Sequence, residues 1–185
     1  RAWHTLAPVD FALQLAGKHL AVEDDRAELL EQYARAAPLA LRTLLELDLS
    51  RVSGVATDGR SAGQLARVLN LCTQLSSLSL SGQPLPGLVL VEMVSNLNLG
   101  ALPLLQTLRL SACSICAAGA TALAQAFGAR QAMAQLRLLD LSANELGDEG
   151  VAELLSVLKQ QRLPRLQEWR LQEVDLGDEA LLSLA

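Results

Sequence analysis

Three groups of residues in this 185-residue chain have types and spacings that could do chemistry. The first is Gly54-Val-Ala-Thr-Asp-Gly59-Arg60-Ser61, one residue away from G-x-x-x-x-G-K-[ST]. Such a loop cradles phosphates with successive backbone N–H groups, and a lysine reaches the outer phosphates. Arg60 stands where that lysine belongs, so nucleotide binding through 54–61 is kept only as a remote alternative. The segment LRLLDLS, with Asp140, has the form of a magnesium-binding strand, but LLELDLS repeats it earlier and repetition accounts for both.

The second group is Cys113-Ser-Ile-Cys116, a C-x-x-C spacing shared by redox and zinc sites. No second pair accompanies it: Cys72 is isolated, and the only histidines are His4 and His19. A structural thiol at Cys113 and a partly buried one at Cys116 are the expectation. Ser50, Ser81, Ser111 and Ser142 form the third group. They recur at one position of a repeating pattern, whereas a nucleophile would be singular and have a histidine partner. No catalytic residue, cofactor or metal site is expected.

The pattern that absorbs these residues is clearest in LRLLDLSANELGDEGVAELLSVL, from Leu136 to Leu158. Leucines at 136, 139 and 141 follow L-x-x-L-x-L, Asn144 and Leu146 complete x-x-N-x-L, and Gly150, Leu154 and Leu158 continue at helical spacing. The period-two part reads as a short strand and the part with apolar residues three and four apart as a helix. Aligned on the first leucine, copies begin at Leu44, Leu75, Leu105, Leu136 and Leu166, at intervals of 30 or 31 residues. A degenerate copy begins near Asp10, where DFALQLAGKHL and DDRAELLEQYA echo the strand and helix. The expected organisation is a lead-in or the end of a preceding helix over 1–9, then one domain of about six repeats over 10–185, truncated at its C-terminus.

Within each unit, Asp148 is placed to cap its helix, and Asp178 likewise in the matching LGDEALLSLA. Gly119 and Gly150 share a repeat position where a missing side chain would let the helix start close to its strand. Pro84 and Pro86 delay the helix of their unit until about Gly87. The unit after Leu49 carries a longer loop, Val52 to Gly63, before a helix expected at QLARVLNL.

The repeats resemble the ribonuclease-inhibitor-like subfamily of leucine-rich repeats, over roughly Asp10 to Ala185. The best copies are Leu105 to Phe127, with Cys113 at the Asn/Cys position, and Leu136 to Leu158. Val52, Gln83 and Val174 replace the Asn or Cys, so those turns must satisfy their backbone groups another way. The resemblance implies an α/β class, a right-handed solenoid or horseshoe with a curved parallel sheet on the concave face and helices on the convex face. It also implies noncatalytic binding of other macromolecules. Relatives of this kind include the sensor region of NLR-type innate immune receptors and nuclear or cytoplasmic scaffolds in genome maintenance or GTPase regulation. The first is the leading expectation and the second the alternative.

Composition fits that reading. Half of the residues are apolar but only 3% aromatic, which suits many small layers of Leu, Ala and Val. A net charge of −5 opposes nonspecific nucleic-acid binding, which needs a basic face. No run is long and apolar enough to span a membrane, because Glu92, Asn96, Asn98, Pro86 and Pro103 break the most apolar stretch. Three cysteines point to a reduced, intracellular setting, cytoplasmic or nuclear. The chain opens at Arg1 and stops inside an apolar helical pattern, so a slice of a longer protein is expected.

The outward strand residues then hold the binding expectation. Between the second and third strand leucines the units carry Gln14, Asp48, Ser79, Arg109, Asp140 and Arg170, which parallel strands would set in one row. Glu46, Arg51, Thr107, Arg137, Glu168, Gln172 and Glu173 extend it. The expected partner is another protein or a neighbouring domain of the same protein, and Asp140, between Arg109 and Arg170, is the single residue singled out.

Overall fold

A computed structural model describes residues 38–50, 58–96, 102–128, 133–175 and 177. Five three-residue strands, β1 (Glu46–Asp48), β2 (Ser77–Ser79), β3 (Thr107–Arg109), β4 (Leu138–Asp140) and β5 (Glu168–Arg170), form one parallel sheet in chain order. Five helical segments separate or precede them: α1 (Pro38–Arg42), α2 (Gly59–Leu69), α3 (Gly87–Asn96), α4 (Ala117–Gly128) and α5 (Gly147–Lys159). Each strand starts two residues after the first leucine of its L-x-x-L-x-L, so every one of the five lies where the leucine spacing puts it. The degenerate unit near Asp10 lies outside the described residues, as do Asp178 and residues 52–57 of the expected 52–63 loop, whose other half is not loop but the start of α2.

The central strand leucines Leu47, Leu78, Leu108 and Leu139 all point into the core, in register across the sheet. Their fifth counterpart, Trp169, packs against the same core but stays half-buried. Helices contribute residues at i, i+3, i+4 and i+7: Ala62, Leu65, Ala66 and Leu69 on α2, and Ala120, Leu123, Ala124 and Phe127 on α4. Neighbouring helices pack directly on one another, α2 on α3, α3 on α4 and α4 on α5. A strand layer and a helix layer thus close over one leucine core.

Two glycines act differently from the expected approach of helix to strand. A Cβ on Gly150 would come within 2.9 Å of the Ala120 Cβ and 3.2 Å of the Ala117 Cα. One on Gly119 would meet Leu90 Cδ2 at 3.1 Å and Gly87 Cα at 3.6 Å, besides Ile115 of its own unit at 2.9 Å. The missing side chain therefore seats each helix against the first turn of the preceding helix, and sets the spacing between repeats. Asp148 is a second correction. It does not cap α5, whose N-terminal Leu146 offers no side-chain acceptor; its carboxylate instead accepts the Gly177 N–H of the following unit at 2.6 Å. Helix α3 begins at Gly87, after the two prolines, as expected. Helix α2 begins at Gly59, five residues earlier than the apolar spacing suggested, because Asp58 and Ser61 form a capping box there.

Between the layers each turn buries backbone groups that water cannot reach. Asn144 is 3% exposed and serves five of them. Its Oδ1 accepts the Cys113 and Ile115 N–H groups, both at 3.0 Å, and its Nδ2 donates to the carbonyls of Leu110 (2.8 Å), Leu141 (2.8 Å) and Ser142 (3.2 Å). At the matching position Cys113 donates its thiol to the Leu80 carbonyl at 3.1 Å. Gln83, read from sequence as a departure, reaches the equivalent Leu49 carbonyl with its Nε2 at 2.8 Å. A longer side chain with the same amide head thus does part of the asparagine's work.

Each buried polar group left unpaired costs about 1–3 kcal/mol. Asn144→Ala should therefore lose roughly 3 kcal/mol or more, and Gln83→Ala, which orphans at least the Leu49 carbonyl, about 1 kcal/mol or more. At ~2–4 °C per kcal/mol the first variant melts about 6 °C or more below the parent. Thermal unfolding followed by circular dichroism checks this, and a loss below about 1 kcal/mol for Asn144→Ala would refute its five-fold role.

Candidate functional site

The register places the outward residues in rows. Asp48, Ser79, Arg109, Asp140 and Arg170 are successive partners across β1 to β5, and Glu46, Ser77, Thr107, Leu138 and Glu168 form a parallel row two residues upstream. Parallel strands lie ~4.8 Å apart, so each row spans the sheet as a nearly straight line of side chains. Glu46, Asp48, Arg109, Arg137, Glu168, Gln172 and Glu173 are exposed; Thr107 and Arg170 are half-buried; Ser79 and Asp140 are buried. Arg51 lies outside the described residues, and so does Gln14.

Burial of Asp140 changes its role. Its Oδ1 accepts the Ser142 N–H at 3.1 Å, closing a turn at the strand exit, and Asp48 does the same for Ser50 at 2.9 Å. The recurring Asp-Leu-Ser in these two units is the sequence signal for that turn. Arg170 approaches Asp140 at 3.9 Å but binds Glu168 more closely, Nε to Oε1 at 2.6 Å. The Glu168 carboxylate, and Asp140 more weakly, hold the Arg170 guanidinium protonated beyond its ordinary range. The pair is exposed, so its contribution to stability is small. Arg109 makes no ion pair with a described residue, although it stands beside Asp140 in register.

The recurring serines are used locally. Ser111 Oγ donates to Ser81 Oγ at 2.9 Å, and Ser142 Oγ accepts the Gln172 N–H at 3.2 Å. These hydroxyls tie one repeat to the next at the strand exits.

Of the phosphate-loop-like segment, Asp58 to Ser61 is described. Asp58 Oδ1 accepts the Ser61 N–H at 2.8 Å, and the Ser61 hydroxyl donates to the Asp58 carboxylate and carbonyl and accepts the Asp58 N–H at 3.0 Å. Those hydrogen bonds, the Ser61 backbone N–H foremost, hold the Asp58 carboxyl below the usual carboxylate range. A phosphate seated at this helix N-terminus would meet an ionised carboxylate already bound to the amide it needs, and the serine hydroxyl that would meet magnesium is engaged with the same group.

The C-x-x-C is likewise divided between two environments. Cys113 is fully buried, and burial pushes its thiol up to about 11; Cys72 is pushed to about 12 for the same reason. Cys116 is half-buried at the start of α4, where the backbone N–H groups of Gly119, Ala118 and Gly87 favour its thiolate and lower its value. Among the described residues no cluster of His, Cys, Asp and Glu has the makings of a metal site. No helix among them is long and apolar enough to cross a membrane.

Short parallel strands in chain order, alternating with helices and joined by turns with buried amide ladders, define a repeat protein of the β/α type. The family described as Leucine Rich repeat matches residues 135–155, the same stretch in which Asn144 is the buried turn residue. This match supports placing the chain among leucine-rich repeat proteins. A search of curated proteins finds no match to it.

The thiols provide a direct check of the two environments. In the native protein a thiol reagent such as dithionitrobenzoate should label Cys116 rapidly, at a rate that rises with pH as its thiolate forms. Cys72 and Cys113 should react only in denaturant, bringing the total to the three free cysteines of the described residues. Native labelling of Cys113 at a comparable rate would contradict its burial.

Proposed function

We propose that this chain is a noncatalytic protein-recognition module, built as a right-handed horseshoe of ribonuclease-inhibitor-like leucine-rich repeats, and that it binds through the open face of its sheet. A leucine-rich repeat suggests protein–protein interaction in general. The observation that carries the more specific reading is the in-register display of mixed charge: exposed Glu46, Asp48, Arg109 and Glu168 stand on a sheet whose other face is leucine core, with exposed Arg137 and Gln172 just beyond the strand ends. Charges of both signs at fixed spacing select a complementary protein surface and speed its encounter more than they add affinity. The rigid turns beneath them keep that display in place, so binding requires little ordering of the receptor.

The partner is another intracellular protein or a neighbouring domain of the same polypeptide. The setting we favour is the ligand-sensing or autoregulatory region of an NLR-type innate immune receptor. What supports it is the 30- to 31-residue period with a helix of ten or more residues in each of the four units from Leu44, Leu75, Leu105 and Leu136, the feature shared with that group of repeats. Catalysis has no part in this reading: Ser81, Ser111, Cys113, Asp48 and Asp140 are engaged in repeat-to-repeat or turn contacts.

Site-specific photo-crosslinking tests the face used. A benzophenone side chain at Thr107, on the open face of β3, should cross-link the partner in cells, whereas one at Gln125, exposed on α4, should not. Cross-links from Gln125 alone would move the binding surface to the helices and defeat the proposal.

A further inference from the structure

Where each helix gives way to the next strand the chain turns a corner, and the described corner residues (43–45, 70–76, 102–106, 133–137 and 160–167) include no aspartate or glutamate. The carboxylates of the described residues lie on the strands, in the segments that follow them and on the helices. Bases gather at the last two corners. Lys159 ends α5, Arg162 and Arg165 follow it, and Arg137 stands at the corner before; all four are exposed. The side chains of Arg137, Lys159 and Arg162 make no hydrogen bond or ion pair with a described residue, and Arg165 reaches only the Gln135 side chain, on the corner of Arg137. A cation in the last turn of a helix answers the helix dipole, which gives Lys159 a structural reason. Arg137 and Arg165 lie outside the last turn of any described helix.

The backbone holds these bases in place. The sheet ladder continues past the strand ends, with the Arg137 N–H donating to the Gln106 carbonyl at 2.8 Å and the Arg137 carbonyl accepting the Gln167 and Glu168 N–H groups, both at 2.9 Å. Arg162 follows a left-handed Gln161 (φ 54°), and the Gln161 and Arg162 N–H groups close the end of α5 on the Leu158 and Val157 carbonyls at 2.9 and 3.2 Å. Earlier corners carry no base: Thr73, Gln74 and Ser76 form one, and exposed Pro103, Leu104 (41%) and Gln106 the next. Leu104 holds the position that Gln135 and Arg165 hold in the following units, just before the first strand leucine. The basic patch thus covers two corners and gives way to an exposed leucine on one side. An extended chain advances ~3.3 Å per residue, so a few residues cover it. Single-stranded nucleic acid is gripped by a longer basic groove with aromatic rings for its bases, and the described corners hold no Phe, Tyr or Trp. We infer that this corner is a second interaction surface, which takes a short acidic segment of a partner protein, its carboxylates on Arg137, Lys159, Arg162 and Arg165 and an apolar side chain against Leu104. In a chain of net charge −5, acids elsewhere turn such a segment away and direct it to this edge.

Fluorescence anisotropy with the full chain and a fluorescein-labelled oligoglutamate peptide bearing a leucine at each end tests it. Saturable binding that weakens as salt is raised is expected. Arg162→Gln together with Arg165→Gln should lower the affinity about tenfold or more, and Leu104→Ser about threefold. Gln125→Glu together with Ala152→Glu makes the same change in net charge at exposed positions of α4 and α5 and should leave the affinity within about twofold. If the double arginine variant melts below the parent, Arg162→Gln alone, whose side chain bonds no described residue, takes its place with an expected loss of about threefold. Absence of saturable binding, an equal loss in the helix pair, or equal binding of a peptide with glutamine in place of glutamate would overturn the surface. An unchanged affinity on Leu104→Ser would remove the apolar contact, and tighter binding of an oligothymidylate of the same length would replace the protein segment by nucleic acid. Arg137, which also borders the open face, is left intact in these variants. The Thr107 cross-link reads that face separately, so either proposal can fail alone.

Discussion

The structure depends on how each turn after a strand satisfies its backbone. Stacking one repeat on the next removes the turn's N–H and C=O groups from water, and each such group must find a partner or cost about 1–3 kcal/mol. The Leu49, Leu80 and Leu110 carbonyls are equivalent, and each is met by a side chain from the next unit: the Gln83 amide, the Cys113 thiol and the Asn144 amide. Backbone bonds add a second rail, with the Gly82, Ala112 and Ala143 N–H groups donating to Ser111, Ser142 and Gln172 carbonyls of the following unit. To aim those amides, the residue after each strand-exit position turns left-handed: φ is 76° at Gly82, 54° at Ala112, 56° at Ala143 and 54° at Glu173. Only one of the four is glycine. A left-handed L-residue costs roughly 1–2 kcal/mol, comparable with one buried hydrogen bond, so the turn geometry persists because the ladder requires it.

That constraint explains which parts of the fold could be read from residues alone. Strand positions were legible because buried leucines at fixed spacing have one consistent placement: inward at three positions and outward between them. The register of the outward rows followed from the same spacing. Helix starts were less legible. Gly59, Ser61 and Gly63 are poor helix formers, and the signal that places α2 is the Asp58-x-x-Ser61 box, which is a capping pattern and carries no periodicity. Asp148 shows the reverse error: an acid in a first turn suits a helix N-terminus, but its position relative to the next repeat is a tertiary fact that local sequence does not contain.

The candidate site was legible as a row and illegible as a relief. Spacing predicts that Asp140 lies between Arg109 and Arg170, and it does. It does not say that a short aspartate between two arginines sinks to 8% exposure and bends back to its own turn. The recurrence of Asp-Leu-Ser at Asp48 and Asp140 held that information, because a repeated acid two residues before a strand-exit amide is placed for an Asx turn. Gln83 was under-read for a related reason: the consensus names a residue type, while the buried carbonyl requires only an amide donor within reach.

Scaffold and display are therefore carried by different side chains. Among the outward residues, Ser79 and Asp140 are drawn down into the sheet, where Asp140 closes its turn, while Glu46, Arg109 and Arg137 stay exposed. The side chains of Glu46, Arg109 and Arg137 make no hydrogen bond or ion pair with a described residue. Charge at these tall positions can thus change at little cost in stability, whereas a change at Asp140 leaves the Ser142 amide short of its acceptor. A surface organised in this way can vary its recognition without altering the leucine core or the amide ladder. The same separation leaves Arg109, rather than Asp140, as the candidate contact on the proposed binding face: it is exposed, stands in register between two neighbouring strands, and makes no ion pair with a carboxylate among the described residues.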